Sequence, residues 1–193
     1  MNGQVLGVQV GTARKVSAAG RTILTAIYKT TAAGPVPVRP LGLQGDEQAD
    51  LSVHGGLEKA VYAYPSEHYA FWQQARRDAG LTAIDEQLPF GAMGENLTLA
   101  GLREADVWVG DVLRFASCTL RVEQPREPCF KFNLAMGFTT AVRAMAQSGF
   151  CGFYLSVDTP GTVQAGENFV LEPGPRRVGI PERFNAKMFK HVR

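Results

Sequence analysis

The stretch "VWVGDVLRFASCTLRVEQPREPCFKFN", residues 107–133, indicates the fold class of this chain. It contains two short runs rich in β-branched and aromatic residues, VWVGDVLRFA and CTLRVEQ, and a Gly-Asp turn interrupts the first. Runs of the same kind recur along the chain: GQVLGVQVG, RTILTAIYKT, KAVYAY, ENLTLAG, GFYLSV and NFVLEP. Short strands at this spacing predict a mainly β, mixed α/β protein built on a barrel or a curled antiparallel sheet.

Two helices are predicted between the strands. In PSEHYAFWQQARRDAG, Ser66 is placed as the N-cap and Gly80 closes the segment. In GFTTAVRAMAQSG, Thr139 or Thr140 is placed as the cap and Gly149 ends the helix. Each helix has one apolar face, formed by Tyr69, Trp72 and Ala75 in the first and by Val142, Met145 and Ala146 in the second. Residues 31–40 are expected to form a loop, because their prolines lack the N–H that a sheet needs.

The composition limits the class of protein. The 193 residues are 45% hydrophobic and 20% charged, which is typical of a folded chain, and we expect one domain over residues 1–172 with a basic tail over 173–193. A net charge of +2 without a dense basic run argues against a nucleic-acid partner. No signal peptide or bilayer-spanning run is evident, and three irregularly spaced cysteines do not suggest a disulfide framework or a structural zinc site. These features favour a protein of the bacterial cytoplasm or of another reducing compartment.

The loop PREPCFKFN carries the strongest chemical signal. Cys129 lies between prolines and beside Arg126 and Lys131, whose charges favour a thiolate if their side chains point toward it. A thiolate can ligate a transition metal or attack an electrophile, and a hydrolytic Cys-His pair with His54 or His68 is an alternative. The other two cysteines lie in strand-like or apolar contexts, which indicates packing.

Two further Gly-rich segments contain candidate binding residues. The pair Gly55-Gly56 would let backbone N–H groups approach an anion, while His54 could donate a hydrogen bond and Lys59 could neutralise a phosphate. The alternative is a turn with a hydrogen-bonded structural histidine. In MGENLTLAG, Glu95 and Asn96 suit a polar ligand, but they are also ordinary turn residues, and the similar GENFVLE favours a structural role for at least one copy.

Taken together, the segments GLQGDEQADLSVHGG, MGENLTLAGL, VWVGDVLRF and VEQPREPCFKFN resemble the MOSC domain, named after the C-terminal domain of molybdenum cofactor sulfurase. The resemblance is greatest to small bacterial MOSC proteins linked to 6-N-hydroxylaminopurine resistance. It implies a β-barrel with flanking helices and a molybdopterin-type molybdenum cofactor in a cleft, with Cys129 as the molybdenum ligand and catalytic centre. The cleft lining that it implies consists of His54, Gly55, Gly56, Lys59, Glu95, Asn96, Arg126 and Asn133.

The resemblance also implies a function. We expect a molybdenum-dependent reductase that detoxifies N-hydroxylated compounds such as hydroxylaminopurines, with electrons from a separate flavin or iron–sulfur reductase and without a membrane partner. The alternative is a carrier in which Cys129 holds the molybdenum cofactor or a persulfide for delivery, without turnover.

Overall fold

The computed structural model describes residues 1–18, 20–49, 55–81 and 87–189. Its strands, numbered in chain order, are β1 (Asn2–Val10), β2 (Arg14–Ala18), β3 (Arg21–Thr25), β4 (Thr30–Thr31), β5 (Val36–Arg39), β6 (Gly42–Leu43), β7 (Val61–Pro65), β8 (Leu97–Ala100), β9 (Val112–Arg114), β10 (Thr119–Pro125), β11 (Phe153–Thr159), β12 (Gly161–Val163) and β13 (Asn168–Glu172). The helices are α1 (Tyr69–Asp78), α2 (Phe130–Met136), α3 (Ala141–Ser148) and α4 (Ile180–Met188), and 3₁₀ turns span Leu57–Lys59, Ser66–His68 and Glu104–Asp106.

A closed barrel forms the centre of the described structure. Its strand order is β13-β9-β10-β11-β7-β8-β1, and β1 pairs back onto β13 to close the ring. The contacts are antiparallel except between β7 and β8, which run parallel. The predicted β-barrel with flanking helices is therefore confirmed. None of the helices in the described ranges is long and apolar enough to cross a membrane.

Strand β7 lies in the middle of the barrel wall, and all five of its residues are buried. It is flanked by β11 and β8, and the side chains on both of its faces are buried. Gly152 precedes β11 with φ +62°, and a Cβ placed there would come within 2.5 Å of the Ala63 carbonyl oxygen. Only glycine permits this close approach of the two strands.

The two predicted helices are present, with one difference in detail. The Tyr69 and Trp72 side chains are buried as expected, but the Ser66 N-cap prediction is wrong. Ser66 opens a 3₁₀ turn, and α1 begins after His68 without a side-chain cap. Helix α3 ends at Gly149 as predicted, but Thr140, which precedes it, makes no side-chain cap, so this cap prediction is also wrong.

The prediction of a loop across residues 31–40 is wrong at its C-terminal half. Strand β5 runs through Pro37 and pairs with both β12 and β6. Proline is tolerated because the ladder uses its carbonyl oxygen, which accepts a 2.9 Å hydrogen bond from the Gln44 N–H.

Two helices that the sequence did not indicate also contribute to the fold. Helix α2 starts directly after Cys129, within a segment interpreted as loop. Helix α4 lies in the basic tail, and its Ile180 and Phe184 side chains are buried in the core. Arg176 in the same tail reaches the buried carboxylate of Asp111 at 3.4 Å. The described part of the tail therefore packs against the barrel.

Candidate functional site

A cleft at the edge of the barrel brings together residues that are far apart in the sequence. It is lined by the segment after β3, the loop after β6, strands β7 and β11, and the loop after β10. The lining includes seven charged residues: the cations Lys29, Lys59, Arg126 and Lys131, and the anions Asp46, Glu47 and Glu127.

Cys129 lies in the wall of this cleft, immediately before α2. Its backbone is extended, and its carbonyl oxygen accepts the Phe132 N–H at 2.8 Å, which ties the residue to the first turn of the helix. The thiol is partly exposed, whereas Cys118 and Cys151 are buried. Burial raises the pKa of Cys118 to about 12 and that of Cys151 well above its ordinary value, so both stay protonated thiols.

Arg126 is the buried cation beside Cys129. Its Nη1 donates to the Met93 carbonyl oxygen at 3.0 Å, and its guanidinium lies 5.0 Å from the centre of the Tyr62 ring and 4.8 Å from that of Phe132. Burial lowers the pKa of Arg126, but the Tyr62 and Tyr154 phenols and the Cys129 thiol outweigh this and raise the pKa overall. The side chain is therefore a fixed cation held between two rings.

Two tyrosines complete this wall of the cleft. Tyr62 of β7 and Tyr154 of β11 are direct partners across the two strands, with ring centres 5.2 Å apart. The Lys59 ammonium lies 6.0 Å from the centre of the Tyr154 ring. Burial raises the pKa of both phenols, so both are neutral hydroxyls. Sequence reasoning missed both tyrosines, because an aromatic residue in an apolar strand is typical of the core.

A buried ion pair, Lys29 with Asp46, forms another part of the lining. Lys29 Nζ lies 2.5 Å from Asp46 Oδ1, with side-chain exposures of 6% and 8%, and the same oxygen accepts the Gly11 N–H at 2.7 Å. Lys29 was not predicted, although a single charge in the otherwise uncharged run TILTAIYKT is a usable signal.

Of the predicted binding residues, Lys59, Asn96 and Arg126 line the cleft together with Cys129. The Asn96 side chain is engaged within the protein, since its Oδ1 accepts the Tyr62 N–H at 3.0 Å and its Nδ2 donates to the Gln9 carbonyl oxygen at 3.2 Å. It holds β7 beside β1 and thereby positions this part of the lining.

Glu95 lies outside the lining and is fully buried. Its carboxylate accepts hydrogen bonds from the Tyr69 hydroxyl, from the Gly91 and Met93 N–H groups at 2.7 and 3.0 Å, and from the Thr98 hydroxyl at 2.8 Å. Oε1 accepts three of these bonds and Oε2 accepts the one from Met93, so both carboxylate oxygens are engaged within the protein. The structure thus gives Glu95 a role in holding the turn before β8.

Asn133 also lies outside the lining. Its Oδ1 accepts the Val142 N–H at 2.8 Å, which satisfies a free donor in the first turn of α3. The predicted cap residue Thr140 makes no side-chain cap. Asn133 therefore connects α2 to α3.

The glycine pair lies next to the lining, and His54 lies outside the described residues. The Gly56 N–H donates to Gln48 Oε1 at 2.8 Å, and Gln48 is itself part of the cleft. Gly56 has φ +95°, and a Cβ added to it would meet no described atom within 4 Å. His68, the other proposed base, is buried with its Nε2 2.7 Å from Glu104 Oε2 and its ring stacked on Phe150. That contact indicates a structural histidine.

These features define a class of protein: a β-barrel with a partly exposed thiol in a strongly charged cleft. The family model described as "MOSC domain" matches residues 50–170, more than half of the chain. This chain therefore belongs to the MOSC domain family, and the resemblance inferred from its motifs is confirmed.

Three similar proteins extend this result. The "Uncharacterized protein YflK" of Bacillus subtilis is 39% identical over 177 residues, which cover 91% of this chain and 76% of that protein. A protein named "Reductase" from Gibberella moniliformis is 33% identical over 90% of this chain, but the match spans only 30% of its length. The crystal structure of YiiM from Geobacillus stearothermophilus has a TM-score of 0.76 and 30% identity, covering 97% of this chain and 85% of that one. MOSC domains are associated in general with the molybdenum cofactor, which supports a related function here.

Proposed function

We propose that this protein is a molybdenum-cofactor-dependent reductase of N-hydroxylated compounds such as hydroxylaminopurines. One observation carries the proposal: the Cys129 thiol is partly exposed in a cleft that contains Lys59, Arg126 and Lys131, whereas the two other cysteines are buried. A soft thiolate is a suitable ligand for molybdenum, and an anionic cofactor suits a cleft that contains fixed cations.

The donor set fits such a cofactor. Cys129 Sγ would hold the metal, and Lys59, Arg126 and Lys131 would face the negative charge of the pterin phosphate. When bound, the cofactor supplies two-electron chemistry that removes oxygen from the substrate. The balanced conversion takes R–NHOH, two electrons and two protons to R–NH₂ and water, so the N–O bond breaks and the oxygen leaves as water.

The chain itself positions the reacting groups. The cation–π contacts of Arg126 fix its charge next to Cys129, and helix α2 fixes the backbone of the thiol. Tyr154 offers a neutral hydroxyl that can hydrogen-bond the substrate, whereas the Tyr62 hydroxyl already donates to the Cys151 carbonyl oxygen at 2.8 Å. The electrons would come from a separate flavin or iron–sulfur reductase, and the relative named "Reductase" supports redox chemistry in general.

The test uses protein made in a host that synthesises the cofactor. We expect molybdenum and pterin to copurify, and 6-hydroxylaminopurine to be converted to adenine with dithionite-reduced methyl viologen as donor. Cys129→Ser should abolish both molybdenum retention and turnover, while Cys118→Ser retains both.

Bound cofactor without turnover of any N-hydroxylated substrate would refute the reductase and favour the carrier. Normal turnover by Cys129→Ser would refute the ligand assignment.

A further inference from the structure

A two-stranded hairpin stands apart from the barrel and leads directly into the cleft. Strands β2 and β3 pair only with each other, in the register Arg14 opposite Thr25 through Ala18 opposite Arg21. The chain then continues from Thr25 into Ala26 and Ile27, and these three residues line the cleft. A partner bound to the hairpin would therefore lie beside the cleft.

The charge of the hairpin has one sign. Residues 14–25 contain Arg14, Lys15 and Arg21 and no acidic residue, although the whole chain carries a net charge of only +2. All three cations are exposed, and none forms an ion pair within the part of the chain that the structure describes. The hairpin thus concentrates positive charge beside the cleft, although the Arg14 guanidinium is engaged 4.2 Å from the centre of the Tyr28 ring.

One face of the hairpin combines charge with apolar surface. Lys15 and Leu24 are opposite each other, so they share a face, and Leu24 is 47% exposed. The next pair on this face is Ser17 opposite Thr22, both exposed. On the other face, Val16 and Ile23 are partly buried. Arg14, opposite Thr25, and Arg21, opposite Ala18, belong to this second face, so the hairpin presents cations on both of its faces. An exposed cationic hairpin that also carries an exposed apolar side chain, Leu24, suits the binding of an acidic protein.

We propose that the β2–β3 hairpin is the docking surface for an acidic redox protein that delivers electrons to the cleft. The inference rests on the proposed function, in which a separate flavin or iron–sulfur reductase delivers electrons to the cleft. Opposite charge would speed the encounter and orient the partner over the cleft.

The test compares two double charge reversals that change the net charge equally. Lys15→Glu/Arg21→Glu alters the hairpin, and Arg143→Glu/Arg177→Glu alters exposed cations elsewhere. Flavodoxin, an acidic flavoprotein, serves as the probe. Binding to it is measured at low and high salt, and 6-hydroxylaminopurine reduction is measured with reduced flavodoxin and with methyl viologen.

We expect the hairpin variant to bind flavodoxin at least about tenfold more weakly at low salt, with a similar loss of flavodoxin-driven turnover. Its viologen-driven rate and the behaviour of the control variant should be unchanged. Equal losses in both variants would reduce the effect to net charge and overturn the proposal, as would a hairpin variant that binds normally.

Two further outcomes separate this inference from others. Charge-dependent binding to phosphatidylglycerol vesicles, with no binding to flavodoxin, would overturn it in favour of a lipid surface. Absence of viologen-driven turnover in the unaltered protein would refute the proposed function, while the binding measurements would still decide whether the hairpin docks flavodoxin.

Discussion

Glu95 offers a sharp test of which predicted residues serve the site and which serve the fold. We expect Glu95→Gln to destabilise the protein. The glutamine amide oxygen can still accept the hydrogen bonds from Tyr69, Gly91 and Thr98. Its NH₂ group then faces the Met93 N–H, so two donors meet and neither has an acceptor. An unsatisfied buried donor costs about 1–3 kcal/mol, and bonds that lose charge assistance are weakened by roughly half, which gives about 3–5 kcal/mol in total.

This loss is large compared with a total stability of about 5–15 kcal/mol. With a urea dependence of about 2 kcal/mol/M, the unfolding midpoint should fall by about 1.5–2.5 M. The matched control is Glu172→Gln, because Glu172 pairs with Arg114 on the surface and its loss should leave the midpoint unchanged within error. Both variants are compared with the unaltered protein by tryptophan fluorescence in urea.

The same samples decide between the two roles of Glu95. A structural role predicts a lowered midpoint and unchanged molybdenum per folded molecule. An unchanged midpoint with lost molybdenum would refute the reasoning and return Glu95 to the cofactor site, as the motif alone suggested.

Three further predictions concern thiols, tyrosines and a glycine. A thiol reagent such as DTNB should react with one cysteine, Cys129, in the folded cofactor-free protein and with all three in denaturant. Cys118 and Cys151 are buried, and burial raises the pKa of both thiols. Fast reaction of three thiols in the folded protein would contradict this burial. Burial also raises the pKa of four tyrosine phenols in the folded protein. Above pH about 10 the folded protein therefore keeps phenol protons that the unfolded chain has lost. These phenols are Tyr62, Tyr64, Tyr69 and Tyr154. Stability in urea should fall as the pH rises above about 9, first through the two buried thiols and then more steeply through the four phenols, because these groups ionise only in the unfolded chain. Tyrosinate absorbance should rise cooperatively with unfolding. Gradual ionisation of all five tyrosines in the folded protein would be inconsistent with this. Gly152→Ala should lower the melting temperature far more than the control Gly149→Ala. Both glycines have a similar positive φ, but Gly149 has open space around it, so its substitution should cost only about 1–2 kcal/mol. Equal melting temperatures of the two variants would show that β11 can shift to make room for the methyl group.

Local sequence patterns determined much of this protein. The short alternating runs indicated the barrel strands, and the spacing of Tyr69 and Trp72 indicated the buried face of α1. The proline-bounded cationic loop distinguished Cys129 from the two packing cysteines, and the motifs identified the family. These features depend on residues near in sequence, where periodicity and backbone stiffness act directly.

The tertiary structure decided what depends on distant partners. Pro37 is in a strand because β12 and β6 flank it, and Glu95 and Asn133 are structural because their side chains find backbone donors in neighbouring segments. Tyr62 and Tyr154 meet only because β7 and β11 pair. Sequence shows which polar groups exist, but only the fold shows whether a partner already satisfies them or whether they face the cleft, since burying a polar group requires a partner.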